Sequence, residues 1–128
     1  MKKSGILHPE LSQMVASLGH TDYVVLADKG YPLPRHVPRI NLGLTDDIPT
    51  ILQVLAVLEQ EMIIDRIIVT HEMAEVSLER LQELTKRYPG VRIERISHLD
   101  FKELTTEAQG AVKTADTCPY ANLIVVSG

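Results

Sequence analysis

The stretch Leu18-Gly19-His20-Thr21-Asp22-Tyr23-Val24-Val25-Leu26-Ala27-Asp28 holds a short apolar run between two polar groups. Tyr23 to Ala27 is too short for a core helix and is bounded like a buried strand. His20 stands just before this strand, and Asp28 stands where it ends. Loop positions beside a rigid element commonly carry catalytic groups. We therefore interpret this stretch as part of one polar pocket, to which two later stretches also contribute, Ser97-His98 and Pro119-Tyr120-Ala121-Asn122.

Strands and helices alternate along the chain, which predicts an α/β domain with a largely parallel or mixed sheet covered by helices. Apolar residues at helical spacing predict helices over about 8–18, 48–61 and 74–88. Ser97 and Asp100 are typical of a capping pair, which predicts a short helix with His98 in its first turn. Further strands are predicted over 39–44, 66–70, 91–96, 111–115 and 123–126.

The sequence also predicts how the longer helices begin, end and face. Gly19 suits the position after the first helix because glycine tolerates positive φ. The second helix is apolar on nearly every side, which is typical of a helix deep in the core or in a subunit interface. Its expected caps are Thr45, Asp46 or Asp47, with Pro49 in the first turn. The third helix is amphipathic, with expected inward side chains Val76, Leu78, Leu81 and Leu84.

Length, charge and cysteine content exclude several classes of function. At 128 residues the chain is expected to form one domain over residues 1–128. A formal net charge of -4 leaves no basic stripe for phosphates, so we expect no nucleic-acid partner. No apolar run is long enough to span a bilayer, so we expect no membrane partner. Cys118 is the single cysteine, which excludes an intrachain disulfide and favours a cytoplasmic location.

The titratable residues leave more than one chemistry open. His20 and His98 each stand at a junction between elements near a carboxylate, whereas His71 beside Glu72 is ambiguous. His20, Asp28 and His98 would make a two-histidine, one-carboxylate metal set. No H-x-H, H-x-x-E-H or C-x-x-C motif supports such a site, so we expect no metal. No G-x-G-x-x-G or Walker loop is present, so we expect no nucleotide cofactor.

Several stretches occur in the order and at the spacing of one known family: Met1-Lys2-Lys3 with Gly5-Ile6-Leu7, Leu18-Gly19-His20-Thr21-Asp22, Ala27-Asp28 with Gly30 and Pro32, Ser97-His98 with Phe101-Lys102, and Pro119-Tyr120-Ala121-Asn122. By these stretches the chain resembles the ribose pyranase and fucose mutarotase family. The likeness covers nearly the whole chain. It departs from the usual pattern of the family at Lys29, Tyr31 and Asn41.

The resemblance implies a three-layer α/β/α sandwich with a mixed, largely parallel sheet. It implies a cofactor-free sugar isomerase that interconverts the pyranose and furanose forms of free D-ribose, with His20 as the acid/base residue. The sugar contacts that it implies are Asp28, His98, Tyr120, Asn122 and the backbone of Ala121. It also implies a homo-oligomeric ring, a decamer in ribose pyranases, with sites at subunit contacts. Two alternatives stay open: a monosaccharide-binding module without turnover, and a fucose-type mutarotase acting on another sugar.

Overall fold

Six strands and five helices make up the chain in the computed structural model, which describes residues 1–128. The strands are β1 (Tyr23–Ala27), β2 (Arg39–Asn41), β3 (Ile64–Thr70), β4 (Arg92–Ile96), β5 (Gly110–Lys113) and β6 (Leu123–Ser127). The helices are α1 (Pro9–Ser17), α2 (Ile51–Leu58), α3 (His71–Val76), α4 (Leu78–Arg87) and α5 (His98–Thr105). No helix is both long enough and apolar enough to cross a membrane.

All six strands lie in one mixed sheet, in the order β2-β5-β1-β6-β3-β4. The pairs β2–β5, β5–β1 and β3–β4 are parallel, whereas β6 runs antiparallel between β1 and β3. Five strands therefore end at one edge of the sheet, which we call the carboxyl edge, and β6 begins there. At the opposite edge, which we call the amino edge, the five strands begin and β6 ends.

Both faces of the sheet are covered, so β1 is apolar at consecutive positions rather than at alternate ones. Val24 and Leu26 face a core shared with α1, α2, α3 and α4. Val25 and Ala27 face a second core, formed with Phe101 of α5 and with the loop over 29–38. The loop contributes three buried side chains to this core, Tyr31, Leu33 and Val37. The predicted three-layer sandwich with a largely parallel sheet is confirmed.

The start of α2 differs from the sequence prediction. Thr50 is the N-cap, and its hydroxyl accepts a hydrogen bond from the Gln53 N–H at 3.3 Å. The Gln53 side chain accepts in turn from the Thr50 N–H at 2.9 Å, which completes a capping box. Pro49 therefore precedes the helix, and the prediction of an earlier cap is wrong for all three candidates, Thr45, Asp46 and Asp47.

Most of α2 belongs to the core, which decides between the two interpretations of its apolar surface. Val57 is its only exposed large apolar side chain, at 36% exposure. The buried ones are Ile51, Leu52, Val54, Leu55 and Leu58.

The single helix predicted over 74–88 is two helices in the structure, because Ser77 interrupts the helical conformation. This residue has φ −132° and ψ 49°, and its hydroxyl donates to the Pro119 carbonyl at 2.6 Å. The break turns Val76 and Leu78 outward, so both are about half exposed and their predicted inward orientation is wrong. The other two predicted inward residues are buried, Leu81 and Leu84.

Candidate active site

The start of β6 and the end of β1 are tied together at the carboxyl edge. The buried side chain of Asn122 accepts a hydrogen bond from the Asp28 N–H at 2.7 Å. The Asp28 carboxylate accepts from the Gly30 N–H at 2.9 Å, which turns the chain into the loop over 29–38. This carboxylate is half-buried and keeps most of its acceptor capacity for a ligand.

His98 begins α5 at the same edge, as the capping pair predicted. The Ser97 hydroxyl accepts from the Asp100 N–H at 3.1 Å, and the Glu72 carboxylate accepts from the His98 N–H at 3.2 Å. The imidazole Nδ1 of His98 is buried and has no hydrogen-bond partner in the chain. A buried polar atom without a partner costs free energy, so this nitrogen is a candidate ligand contact. Glu72, for which the sequence predicted no role, therefore orients the start of α5.

Two tyrosine rings pack edge-on against the His98 ring. The ring centroids of Tyr120 and His98 lie 5.3 Å apart, and those of Tyr31 and His98 lie 6.3 Å apart. Tyr31 is buried, and its hydroxyl bonds to Thr105 at 3.2 Å. Burial raises the pKa of Tyr31; the Thr105 hydrogen bond opposes this rise, and the Asp28 charge adds to it. Tyr31 therefore packs against His98 within reach of the charge of Asp28, a position that the sequence did not predict.

Tyr120 and Ala121 reach this edge through irregular backbone. Tyr120 has φ +54°, a left-handed conformation that is unfavourable for a tyrosine, and β6 begins only at Leu123. Strand alternation therefore does not decide which way the side chains of Tyr120 and Asn122 point. Ala121 is fully buried and its methyl group forms no hydrogen bond, so the sugar contact that the resemblance implies has to come from its backbone. We call the group at this edge the carboxyl-edge cluster: Asp28, Tyr31, His98, Tyr120, Ala121 and Asn122.

His20 lies at the amino edge. This position is the main correction to the interpretation that placed His20 and Asp28 in one pocket. The Thr21 N–H donates to the Ser127 carbonyl at 3.0 Å, which ties this loop to the end of β6. The carboxyl-edge cluster is tied to the beginning of the same strand. A five-residue strand is roughly 16 Å long. Within one chain, His20 therefore cannot share a ligand with Asp28.

The loop around His20 is held by its neighbours and leaves the imidazole free. The Asp22 carboxylate accepts from the Gly19 N–H at 2.8 Å and from the Gln109 side chain at 3.3 Å. The residue with positive φ is Thr21, at +71°, so the prediction that Gly19 would need this conformation is wrong. His20 itself is exposed and takes part in no hydrogen bond or ion pair within the chain.

Neither an enclosed cavity nor a metal-binding group is formed by the predicted site residues of one chain. Five main surface cavities, of about 310 to 700 Å³, are all lined by other residues. No three His, Cys, Asp or Glu side chains are placed to hold one metal ion. The candidate metal set of His20, Asp28 and His98 is not assembled, because His20 is at the opposite edge. The carboxyl-edge cluster is thus an open surface in the single chain.

A buried ion pair behind the cluster escaped the sequence analysis. Asp116 is 0% exposed, and its carboxylate accepts from the Arg80 guanidinium at 2.7 and 3.2 Å. Burial alone would raise the pKa of Asp116, but the hydrogen bonds from Arg80, from the Cys118 N–H and from the Ile51 N–H lower it below its usual value. The partners lie 36 residues apart in the sequence, so no local pattern could have paired them.

We expect acid to weaken this ion pair and the fold with it. Because folding lowers the pKa of Asp116, its contribution to stability is present above the unfolded pKa of about 3.9 and is lost as the pH falls below that value. Asp116→Asn should lose about 3–5 kcal/mol of unfolding free energy at pH 7, since Arg80 is left without its counter-charge. Urea unfolding at pH 7, 5 and 3 measures both effects. An Asp116→Asn protein with the same acid sensitivity as the original would contradict the assignment.

The fold and the cluster define an α/β protein with polar groups gathered beyond its strand ends, which is where open α/β sheets bind their ligands. The chain belongs to the RbsD / FucU transport protein family, whose family model matches residues 1–128. It is similar to the D-ribose pyranase of Coprothermobacter proteolyticus, with 41% identity over 100% of this chain and 98% of that protein. It is also similar to the D-ribose pyranase of Haemophilus influenzae strain Rd, with 38% identity over 100% of this chain and 98% of that one.

Two solved structures have the same fold as this chain. Bacillus subtilis RbsD complexed with D-ribose matches with a TM-score of 0.95 and 38% identity, covering 100% of this chain and 98% of that chain. The fucose mutarotase of Streptococcus pneumoniae in complex with L-fucose matches with a TM-score of 0.79 and 23% identity, covering 95% of this chain and 93% of that chain. The second likeness shows the fold alone. The predicted family membership is confirmed by the family model and by the D-ribose pyranases at about 40% identity.

Proposed function

We propose that this protein interconverts the pyranose and furanose forms of free D-ribose, the activity of a D-ribose pyranase. The observation that carries the proposal is the carboxyl-edge cluster. It brings a carboxylate, an imidazole, a phenol and an amide to one edge of the sheet, in a chain 38% identical over its full length to a protein solved with D-ribose. A neutral polyol needs several hydrogen bonds and no counter-charge, which fits this set of groups.

Different groups of the carboxyl-edge cluster bind different parts of the sugar. Asp28 accepts from one or two sugar hydroxyls, and the unpaired Nδ1 of His98 is available to another. The hydroxyl of Tyr120 and the amide nitrogen of Asn122 form no hydrogen bond within the chain, and the backbone of Ala121 adds a further contact. Each of these groups fixes the sugar relative to the residue that moves the protons.

The reaction needs only proton transfers. The anomeric hydroxyl gives up a proton while the ring oxygen gains one, the bond between the anomeric carbon and the ring oxygen breaks, and an open aldehyde results. A different hydroxyl then attacks the carbonyl and closes the other ring. His20 serves as the acid/base residue, because imidazole both donates and accepts protons near neutral pH. Since His20 lies at the amino edge, it acts on a sugar held by a neighbouring subunit.

The exposed apolar side chains support such an assembly. Val76, Leu78 and Leu99 are 50–74% exposed, and all three lie beside the carboxyl-edge cluster. Ile63 is 77% exposed at the amino edge, where its carbonyl accepts from the Gly128 N–H. Apolar surface next to an open site is typical of a subunit contact. A contact between the amino edge of one chain and the carboxyl edge of the next is head-to-tail, which gives a ring when the rotation closes.

We expect a homo-oligomer whose activity depends on assembly, and the decamer implied by the resemblance is the proposed size. Light scattering coupled to size exclusion should give a particle near ten times the 14.3 kDa chain mass. Leu99→Glu should shift the particle toward that of single chains and remove activity, because it places a charge in the contact. Leu7→Glu, at a side chain 73% exposed elsewhere, is the matched control. A fully active single chain would contradict both the ring and the shared site.

Tyr120→Phe should weaken D-ribose binding by roughly 5- to 150-fold, because one sugar hydroxyl loses its partner, worth about 1–3 kcal/mol. Its melting temperature should not change, since this hydroxyl bonds to nothing in the chain. Asn122→Ala should lower both affinity and stability, because it also unpairs the buried Asp28 N–H. Titration calorimetry and thermal melts separate the two effects, and Tyr88→Phe is the control. Unchanged affinity in Tyr120→Phe would remove Tyr120 from the sugar site.

Exchange NMR of free D-ribose tests the function itself. Catalytic amounts of protein should transfer saturation between pyranose and furanose anomeric signals far faster than in buffer. A binding module without turnover would broaden the sugar signals and leave this exchange at its uncatalysed rate. The same measurement on L-fucose tests the fucose-type alternative, and we expect the larger acceleration with ribose.

The proposed cytoplasmic location fits the single free thiol, Cys118.

A further inference from the structure

The connection from β5 to β6 must be held from outside. Residues 114–122 form no helix or strand, although they carry Tyr120 and Ala121 into the carboxyl-edge cluster. Tyr120 keeps a left-handed backbone at φ +54°, which an unsupported tyrosine would leave for a commoner conformation. Asp47 holds the connection at Thr117, where its carboxylate accepts from the Thr117 N–H at 3.0 Å and from the hydroxyl at 2.9 Å. Further contacts, nearer to Tyr120, involve α4 and the junction before it.

Asp116 makes the first of these contacts, inside the core. One of its carboxylate oxygens accepts from the Cys118 N–H and the other from the Ile51 N–H, each at 2.9 Å. The Arg80 guanidinium reaches from α4 and donates to both oxygens. Asp116 thereby joins the connection to the starts of two helices, α2 and α4. Paired, charge-assisted hydrogen bonds of this kind fix orientation as well as distance.

Ser77 makes the second contact, at Pro119, which follows Cys118 in the connection. Its hydroxyl donates to the Pro119 carbonyl at 2.6 Å, and its own carbonyl accepts from the Arg80 N–H at 3.0 Å. The backbone of the connection is therefore held at Cys118 and again at Pro119, immediately before Tyr120. Both contacts belong to the first turn of α4 or to the break that precedes it.

We propose that Arg80, Asp116 and Ser77 are positioning residues for sugar binding, which hold residues 118–119 so that Tyr120 and Ala121 meet the sugar. None of the three touches the sugar, and none takes part in proton transfer. The inference rests on the proposed function, because that function assigns Tyr120 and Ala121 as sugar contacts. It predicts an effect on binding rather than on the chemical step, since His20 comes from the neighbouring subunit.

The test compares three variants with the original protein by exchange NMR over a range of D-ribose concentrations. Arg80→Met and Ser77→Ala should raise KM by about tenfold and change kcat by less than about twofold, as expected when only binding is lost. Arg80→Lys keeps the charge but not the paired geometry, so it should recover part of the loss. Calorimetry should show the same tenfold loss of affinity for D-ribose.

Two matched controls separate positioning from plain stability. Arg66→Met removes another guanidinium, which pairs with Asp65 and Glu94 near the amino edge. Ser17→Ala removes another hydroxyl that donates to a backbone carbonyl, that of Met14 at 2.7 Å. Both controls should leave KM unchanged whatever they do to the melting temperature.

Hydrogen exchange without sugar gives a readout that does not depend on activity. Amides of residues 117–122 should exchange faster in Arg80→Met and Ser77→Ala than in the two controls. The proposal is overturned if these amides exchange no faster in the variants than in the controls. It is also overturned if the melting temperature falls while KM stays unchanged, because the ion pair then contributes only to stability. If Arg80→Met does not fold, Ser77→Ala decides the question, because it leaves no charge unpaired. An original protein that does not accelerate ribose exchange would count against the proposed function, while hydrogen exchange would still report on the connection.

Discussion

His20→Ala is expected to return ribose ring-form exchange close to its uncatalysed rate. General acid–base catalysis typically contributes roughly 10²- to 10⁴-fold, and His20 is the residue to which this role is assigned. The fold should be unaffected, because His20 is exposed and bonds to nothing in its own chain. Exchange NMR gives the rate, and a thermal melt with light scattering checks fold and assembly.

His36→Ala is the matched control for this loss. His36 is also an exposed loop histidine, and it contacts only the Thr106 carbonyl, at 2.6 Å. We expect it to exchange ribose at the original rate. Near-normal exchange in His20→Ala would show that the acid/base assignment is wrong, whatever the control does.

Two inactive proteins should regain activity when their chains are mixed in one assembly. His20→Ala keeps an intact carboxyl-edge cluster, and Asp28→Ala keeps an intact His20. When the chains are mixed equally and reassembled at random, about a quarter of the head-to-tail contacts join one intact half-site to the other. The mixture should therefore show about a quarter of the original activity, whereas each variant alone shows almost none.

The control is the same pair of variants mixed without prior dissociation, which should stay inactive. Co-expression from two differently tagged copies offers a second route to mixed assemblies, and the tags report their composition. Activity that never rises above that of the separate variants would mean that one chain supplies the whole site. That outcome would contradict the placement of His20 and the carboxyl-edge cluster at opposite edges.

The separation of these half-sites could be predicted from the sequence. His20 precedes a five-residue strand and Asp28 follows it, so the two must lie at opposite edges of any sheet that contains this strand. Their nearness in the sequence suggested one pocket, and the strand length contradicted it. The cap of α5 was predicted correctly because Ser97 and Asp100 are three residues apart, and a local hydrogen bond decides that geometry.

Longer-range contacts explain the features that the sequence did not predict. Ser77 is tolerated inside a helix, and the break there depends on Pro119, 42 residues away. The cap of α2 is an exception, because Thr50 and Gln53 are only three residues apart and their spacing is the local signature of a capping box. Tyr31 lies in a proline-rich loop that carries no periodic signal, so its place beside His98 follows from packing alone.

The opposite placement of the two half-sites also distinguishes a closed circle of subunits from an open row. In a row, the first chain and the last chain each keep one half-site without a counterpart, so the row has one fewer complete site than it has chains. A closed circle has as many complete sites as chains. Closure would therefore raise the catalytic output of each molecule of protein made, in addition to burying apolar surface at one more contact.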